Sequence, residues 1–451
     1  MEKILLTMLL AASGLTVLTC GKSGGNSGGS GTALNLTGVS QLILAPGGLS
    51  KSAALTAPAN SVYAVDQSGN ISTTKIAEAV SGASDNPAST SLMFNSPRYV
   101  FFQYDGLYQP INGLGNSKQC VLVGVRKSDG KLACISSSPR CDANNVCNVY
   151  VYKSQVKVNP SGDMLFMVLG DGGLNKVDLS NPENPLETSV FTHASLGDAS
   201  VPIVNASNDI MVTINTQSGG AGVTTKIFSS NGQTYTIPGS DQINHISCSF
   251  SGNGDSGSNF YYVYLDQSST KFSYILMARN TDGTFTSRTL YTENVGTGVL
   301  GANCTNIVYQ GPRIFGLNSF NPGNPSFPGN SVLMEYPTSS GSISHYALDS
   351  AFPVKTDLQA FSGGLVILGT TSDGKKSGIE VFDTTTNVVT TVLPPSQFFI
   401  KSMSVSSNGD ISFVGVRLTD NANALGKLSI TSNVLSDSSL AVSPIAIVTL
   451  N

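Results

Sequence analysis

The chain contains no tryptophan, and only three histidines, His193, His245 and His345, stand among its 451 residues. The first absence excludes the Trp-Asp dipeptide that marks one large class of repeat proteins. The second leaves little imidazole for metal ligation or general-base catalysis. Charge is scarce as well: Asp, Glu, Lys and Arg make up 12% of the sequence, against about 25% in ordinary soluble domains. With a formal net charge of −4 and no run of Lys or Arg, the chain has no electrostatic footprint for DNA or RNA. After the N-terminal segment no apolar stretch approaches the roughly 18 residues that a membrane-crossing helix needs. Polar and apolar residues alternate too irregularly to mark the strands of an outer-membrane barrel. What is abundant is Gly, Ser, Thr and Asn, so solubility rests on hydroxyl and amide groups, a surface suited to a β-protein outside the cytoplasm.

Lys3 supplies a positive start, residues 4–18 form an apolar core broken only by small polar residues, and Val17-Leu18-Thr19-Cys20 closes it. That length and those flanks describe an export signal rather than a spanning helix. Residues 21–31 are almost entirely Gly, Ser and Asn and cannot bury apolar area. A coil of this composition has a root-mean-square reach of roughly 18 Å. The segment ending at Cys20 resembles a bacterial lipoprotein signal, in which the cysteine is acylated and becomes the mature N-terminus; Leu18 and Thr19 depart from the small residues usual before it. An ordinary secretory signal with an unrelated cysteine is the alternative. The resemblance implies a lipid anchor at Cys20. Gly21 stands where an aspartate would retain such a protein at the inner membrane of enteric bacteria, which implies an outer-membrane destination, facing the periplasm or the exterior. The expected division is a signal at 1–19, an acylated cysteine and tether at 20–33, and one domain at 34–451.

Six further cysteines remain: Cys120, Cys134, Cys141, Cys147, Cys248 and Cys304. An even count in an exported chain predicts disulfides, with many connectivities open. Cys141 and Cys147 can close a small loop. Cys120 and Cys134 flank a hairpin at Asp129-Gly130, although not directly opposite each other in its simplest register. Cys248 and Cys304 each precede a turn, at Asp255 and Gly311, by seven residues. That spacing predicts equivalent first-strand positions in neighbouring units and a bridge between them. Zinc is disfavoured, because no spacing gives paired CxxC units and the histidines lie elsewhere.

From about Leu34 onward, short β-branched and aromatic runs are separated by Asn, Gly, Asp and Ser turns, and helical periodicity is nearly absent. A unit of strand, polar turn and apolar strand recurs around Asp163, Asp209 and Asp255, spaced by 46 residues each time, and again at Asp410. Weaker members fall at Ser96-Pro97, Gln310-Gly311 and Gly363-Gly364. Hairpin turns at Asp129-Gly130, Asn231-Gly232, Asp282-Gly283 and Asp373-Gly374 require positive φ. A period of about 40 to 50 residues with several strands per unit predicts a β-propeller. The fold class is therefore all-β, with about seven four-stranded blades. Residues 41–77 either close the ring by joining the last blade or make an eighth. In architecture the chain resembles bacterial β-propeller lipoproteins, without the signature motif of any one family.

No catalytic motif emerges. Gly254-Asp255-Ser256-Gly257 resembles the segment that holds the nucleophile in trypsin-like serine proteases, which would make Ser256 that nucleophile. No histidine has the sequence context of its base, however, and the motif coincides with the repeated turn. The aspartates at 163, 209, 255 and 410 are expected to cap their own turns rather than share an ion. Asp171-Gly172-Gly173 and Gly219-Gly220-Ala221-Gly222 lie between strands, with no helix to hold phosphate. The aromatic runs at Tyr99 to Tyr104 and Phe260 to Tyr264 are expected to pack between blades rather than stack on sugars. Loops 318–330 and 136–148 are expected to project from a rim, where binding residues concentrate on rigid scaffolds.

The reading that follows is a lipid-anchored envelope protein that binds or scaffolds a protein or glycan through rim loops. It is expected to be monomeric, to contact the membrane through its anchor, and to have no nucleic-acid partner, metal or cofactor. An exported hydrolase or lyase with carboxylates gathered at the channel mouth is the alternative from another class. A purely structural envelope protein is the third.

Overall fold

In the computed structural model, the residues described are 36–45, 61–66, 71–74, 89–105, 122–135, 156–169, 172–200, 202–215, 223–237, 246–251, 257–266, 271–294, 305–319, 331–440 and 443–450. Almost all of them are in strands or the turns between strands, and the helix among them is the single turn His193–Leu196. Hydrogen bonding groups the strands into seven antiparallel sheets. Blade 2 spans Ser89–Asn95 to Leu132–Ile135, blade 3 Val156–Val158 to Leu186–Phe191, and blade 4 Asp198–Ala199 to Thr234–Thr236. Blade 5 runs from Ile246–Ser251 to Phe285–Asn294 and blade 6 from Thr305–Gln310 to Ser344–Ala347.

The next sheet has seven strands, because Val388–Val405 passes without a break from one unit into the following one. Its first part pairs with Ser377–Asp383 and its second with Ile411–Arg417. We count these units as blades 7 and 8. Pro394 and Pro395 sit at the crossing, where their fixed φ suits extended backbone and their missing N–H groups are not needed by a ladder.

Blade 1 is built from both ends of the chain. Val39–Ala45, Ser61–Asp66 and Ile71–Thr74 supply three strands, and Ala446–Thr449 supplies the fourth, with Leu42 opposite Val448 and Ile43 opposite Ile447. The N-terminal strands thus close the ring and add a unit at once. The units number eight, the larger of the two counts that the repeat leaves open.

In each unit the chain runs outward, from a first strand to a fourth. First strands of neighbouring units lie against one another: Ile203–Val204 against Val156–Val158 and Ile246–Ser251, and Ala446–Thr449 against Ser89–Asn95. They form the inner wall of the ring. The core lies between sheets rather than within one centre, as alternating side chains of each strand leave on opposite sides. Phe260 and Tyr262 pack with Met211 and Ile227 of blade 4. Tyr261 and Val263 pack with Ile314 and Tyr336 of blade 6. Tyr99 and Phe101 join Leu165 and Met167 of blade 3. The aromatic runs are interblade packing, as expected.

Antiparallel strands place their connections alternately at the two faces of the ring. First-to-second and third-to-fourth connections share one, here the turn face; second-to-third connections and the links between blades share the other, the loop face. The hairpin glycines at 130, 232, 283 and 374 have φ of 68°, 87°, 83° and 68°.

Candidate functional site

On the turn face the repeated aspartates are bound into their turns, and one of them also reaches the next blade. Asp209 is fully buried; its carboxylate accepts from Asn205 Nδ2 at 2.8 Å, the Ser230 N–H at 2.7 Å, Ser229 Oγ at 3.1 Å and Arg279 Nε at 2.7 Å. Arg279 belongs to blade 5, so this ion pair stitches two blades. Asp163 accepts from Ser161 Oγ and Asn159 Nδ2, both at 2.7 Å, and these bonds hold its carboxyl below the usual carboxylate range. Asn159 Nδ2 also donates to Asn208 Oδ1 of blade 4 at 2.8 Å. Asp410 accepts from Asn408 Nδ2 at 3.0 Å within its own turn. The backbone N–H groups of two of these turns are capped by asparagines instead of the expected aspartates, Asn159 Oδ1 accepting from Asp163 and Met164 and Asn205 Oδ1 from Ser207 and Asp209, while the aspartates brace the asparagine amides; Asp255 lies outside the described residues.

The same face is laced from blade to blade. The Ala206 N–H donates to Gly257 O at 2.7 Å, Gln310 Nε2 to Ser362 O at 2.9 Å, and the Ser362 N–H to Ser407 O at 2.9 Å. Arg313 of blade 6 holds Glu335 through two bonds of 2.7 Å, donates to Thr384 O and to Asn387 Oδ1 of blade 7, and lies 4.8 Å from the Phe315 ring centroid. Its polar groups are therefore largely engaged with one another.

The loop face is different. Of the connections there, 46–60, 75–88, 106–121, 136–155, 216–222, 238–245, 295–304 and 320–330 lie outside the described residues, while 348–353, 371–376 and 418–422 are described and short. Their turn-face counterparts 96–98, 127–131, 205–209, 280–284, 311–312 and 406–410 are tight. The inner wall approaching the loop face breaks its register once in five of the blades. Bulges fall between Thr90 and Leu92, Ile246 and Cys248, Thr305 and Ile307, Lys355 and Asp357, and Ile400 and Ser402. Bulges of this kind re-aim a side chain. Asn306, Thr356 and Lys401 at such bulges are exposed, as is Lys157 of blade 3. Asn306 adopts φ of 59° and donates through Nδ2 to Thr356 O of the next blade at 3.0 Å. Among the described side chains of the inner wall Asp357 is the one carboxylate, and it accepts from Gln359 Nε2 at 2.8 Å.

Sequence reasoning missed one buried charge pair. Lys355 Nζ lies 2.6 Å from Glu380 Oε2, with both side chains fully buried in blade 7. Burial pushes the Lys355 ammonium down and the Glu380 carboxyl up, against the mutual attraction that opposes both shifts. A lone Glu within the apolar run Ile379-Glu380-Val381-Phe382 was the available signal, since an unpaired buried carboxylate is not tolerated.

Of the predicted site residues, Cys20, Cys120, Cys141, Cys147, Cys304 and Ser256 lie outside the described residues, as do the signal and the tether. Cys134 lies opposite Val123, and Cys120 precedes that position by three residues, so the two are not directly opposed. Cys248 lies opposite Val263. The predicted equivalence of Cys248 and Cys304 is corrected by the register: counted from the bulge, Cys248 matches Ile307, not Cys304. The equal spacing misleads because blade 5 has a longer first turn, 252–259, than blade 6, 311–312. Asn318 and Ser319, read as loop, continue the strand Arg313–Ser319. His193 and His345 sit on different elements, the short helix before blade 4 and the outer strand of blade 6. Among the described residues no group of three His, Cys, Asp or Glu is placed to hold a metal ion. No helix among them is long and apolar enough to cross a membrane.

No protein-family model matches the sequence, and no curated protein matches it. Among solved structures the chain is similar to a prolyl endopeptidase, at a TM-score of 0.50 and 12% identity, covering 78% of this chain and 50% of that one. The chain thus spans half the length of that enzyme. It is also similar to the β-propeller domain of the trilobed protease from Pyrococcus furiosus, with a TM-score of 0.39, 7% identity, and coverage of 64% and 85%. A third similar structure is a putative TolB from Agrobacterium tumefaciens, with a TM-score of 0.34, 14% identity, and coverage of 54% and 81%. At such identities the likeness is one of fold. The chain is an all-β propeller of four-stranded blades, closed by strands from both of its ends.

Proposed function

We propose that the protein is a lipid-anchored, extracytoplasmic binding or scaffolding module of the bacterial cell envelope, which contacts a protein or glycan through its loop face. The observation that supports this is the asymmetry of the ring. On the turn face the polar groups are engaged with each other, whereas the longest connections, 46–60, 75–88, 106–121, 136–155, 295–304 and 320–330, all leave from the opposite face. Variable connections on a rigid scaffold are where recognition is built. The export signal and Cys20 support the anchor. Disulfides among the six body cysteines belong to the same reading, as they suit an oxidising compartment.

A hydrolase or lyase needs two carboxylates roughly 5 to 10 Å apart across a cleft. The described side chains of the inner wall include one carboxylate, Asp357, and the exposed lysines Lys157 and Lys401 of other blades, which favours binding. The test is photo-crosslinking in cells, with the probe residue at Val354 on the loop face or at Asn408 on the turn face. A discrete protein or glycan adduct from position 354 and not from 408 is expected. Depolymerisation of an envelope polysaccharide by the purified chain, abolished in Asp357→Asn, would replace this reading with the enzymatic one.

A further inference from the structure

Both ends of the described chain meet the ring at its turn face. Val39–Ala45 is the second strand of blade 1 and so begins there, and its partner Ala446–Thr449 finishes there, with Thr449 opposite Gln41. Whatever precedes residue 36 therefore approaches the ring from the turn face.

A second observation concerns exposed apolar side chains. Leu186, Val354, Val388 and Val434 are 62%, 49%, 52% and 58% exposed. Three of these occupy one register position. Leu186, Val388 and Val434 each open the fourth strand of a blade, in blades 3, 7 and 8, directly after the turn that leads into it. They stand on the outer rim of the turn face. In blade 4 the same position is Thr234, opposite Phe228 at the end of the third strand. In blade 5 it is Phe285, which instead packs against Tyr235 and Phe260. Single exposed apolar residues need no explanation, but recurrence at one register position on one face does. Packing within the ring does not supply it, because these side chains touch solvent.

We infer that the turn face is the membrane-proximal face, with Leu186, Val388 and Val434 resting in the interfacial layer of the phospholipid surface that holds Cys20; the inference rests on the lipid-anchor reading proposed above. A coil of the length of residues 21–35 has a root-mean-square reach of about 21 Å. Passing from the start of Val39–Ala45 around two outer strands and along the blade to the loop face takes about 30 Å. The anchor thus favours the turn face toward the bilayer, where apolar rim residues gain by leaving water. The loop face is then directed away from the membrane, open to a partner.

The absence of tryptophan makes the test direct, since any single Trp is the sole indole reporter. Lipidated protein is reconstituted on vesicles of phosphatidylethanolamine and phosphatidylglycerol, part of the lipid brominated. Val434→Trp, Val388→Trp and Leu186→Trp are expected to shift emission to shorter wavelength and lose intensity to the bromines. Val354→Trp, on the loop face, is expected to keep both. Flotation of the wild type with the vesicles, lost in Cys20→Ala, reads the anchor separately. Flotation with equal quenching on both faces, or with none on either, overturns the orientation and leaves the anchor standing. A wild type that does not float overturns both.

Discussion

Replacing Lys355 by methionine is the sharpest probe of what holds blades 6 and 7 in register. Lys355 opens the inner strand of blade 7 and donates to Glu380 Oε2 at 2.6 Å and to Asp349 O at 3.2 Å; its Nζ also lies 3.7 Å from the Phe352 ring centroid. Glu380 Oε1 accepts from the Asp349 N–H at 2.6 Å. Phe352 covers Gly369 and Gly378, where a Cβ would fall 2.7 and 2.8 Å from ring carbons. The ion pair, the ring and two glycines therefore fasten the connection 348–353 to the blade 7 sheet. Methionine keeps most of the lysine stem, so the loss is electrostatic: a buried carboxylate without its counter-ion. Breaking one side of such a pair costs about 3–5 kcal/mol. Adding Glu380→Gln removes the stranded charge yet keeps an acceptor for the Asp349 N–H, and is expected to restore about 2 kcal/mol. In Lys355→Met the Glu380 carboxyl is raised further above its unfolded value. A raised acid contributes stability below its unfolded pKa that is lost as pH rises through the folded one, so the deficit of the variant shrinks on acidification. Urea unfolding followed by circular dichroism and tyrosine fluorescence, at about pH 5 and about pH 8, reads all three quantities. A single variant within about 1 kcal/mol of wild type, or an additive double variant, would refute the reasoning.

Four further outcomes are expected. Gly426 lies opposite Phe413 across two strands of blade 8, and an added methyl would overlap the ring; Gly426→Ala is expected to lower stability by about 2–3 kcal/mol, and an unchanged thermal midpoint would discredit the glycine–aromatic contact. Asp129 is held down to about 2 by its hydrogen bonds from Arg126. As a depressed acid it contributes stability above its unfolded pKa that is lost as pH falls through the folded one. In Arg126→Gln its midpoint, followed by NMR, should rise toward about 3.9. Deleting residues 446–451 removes the inner strand of blade 1, so the amides of Val39–Ala45 should lose hydrogen-exchange protection before those of blade 5; uniform loss would speak against a ring closed at that seam. The six body cysteines should resist alkylation in unfolded protein until a reductant is added, and full labelling without reductant would rule out the disulfides.

The architecture was legible because the turns are chemically marked. Asp and Gly recur wherever a tight connection needs a capped N–H or a positive φ, and the turns at 130, 232, 283 and 374 were all readable from dipeptides. The strand that completes blade 1 was not, because this innermost strand, Ala446–Thr449, is four residues with no period of their own, placed by pairing with a strand some four hundred positions away. Nor was the level at which Cys248 sits, since a bulge on the inner wall and a longer turn shift it relative to Cys304. Arg279 with Asp209 and Lys355 with Glu380 escaped for a shared reason. The partners sit on different strands, 70 and 25 residues apart, so even where a charge stands out locally, as Glu380 does in its apolar run, its partner does not. The asymmetry of the faces could be read only once strand directions were known, although every connection length was visible beforehand.

Blade 1 also sets an order on biogenesis. During synthesis its three N-terminal strands are made some four hundred residues before the strand that completes their sheet. Until then Leu42 and Leu44 lie on a strand edge with nothing to pair it, the kind of edge that invites aggregation or proteolysis. The seam therefore acts as a check on synthesis: a polypeptide that stops before Ala446 leaves an open ring, marked for disposal by the same backbone groups that would have sealed it.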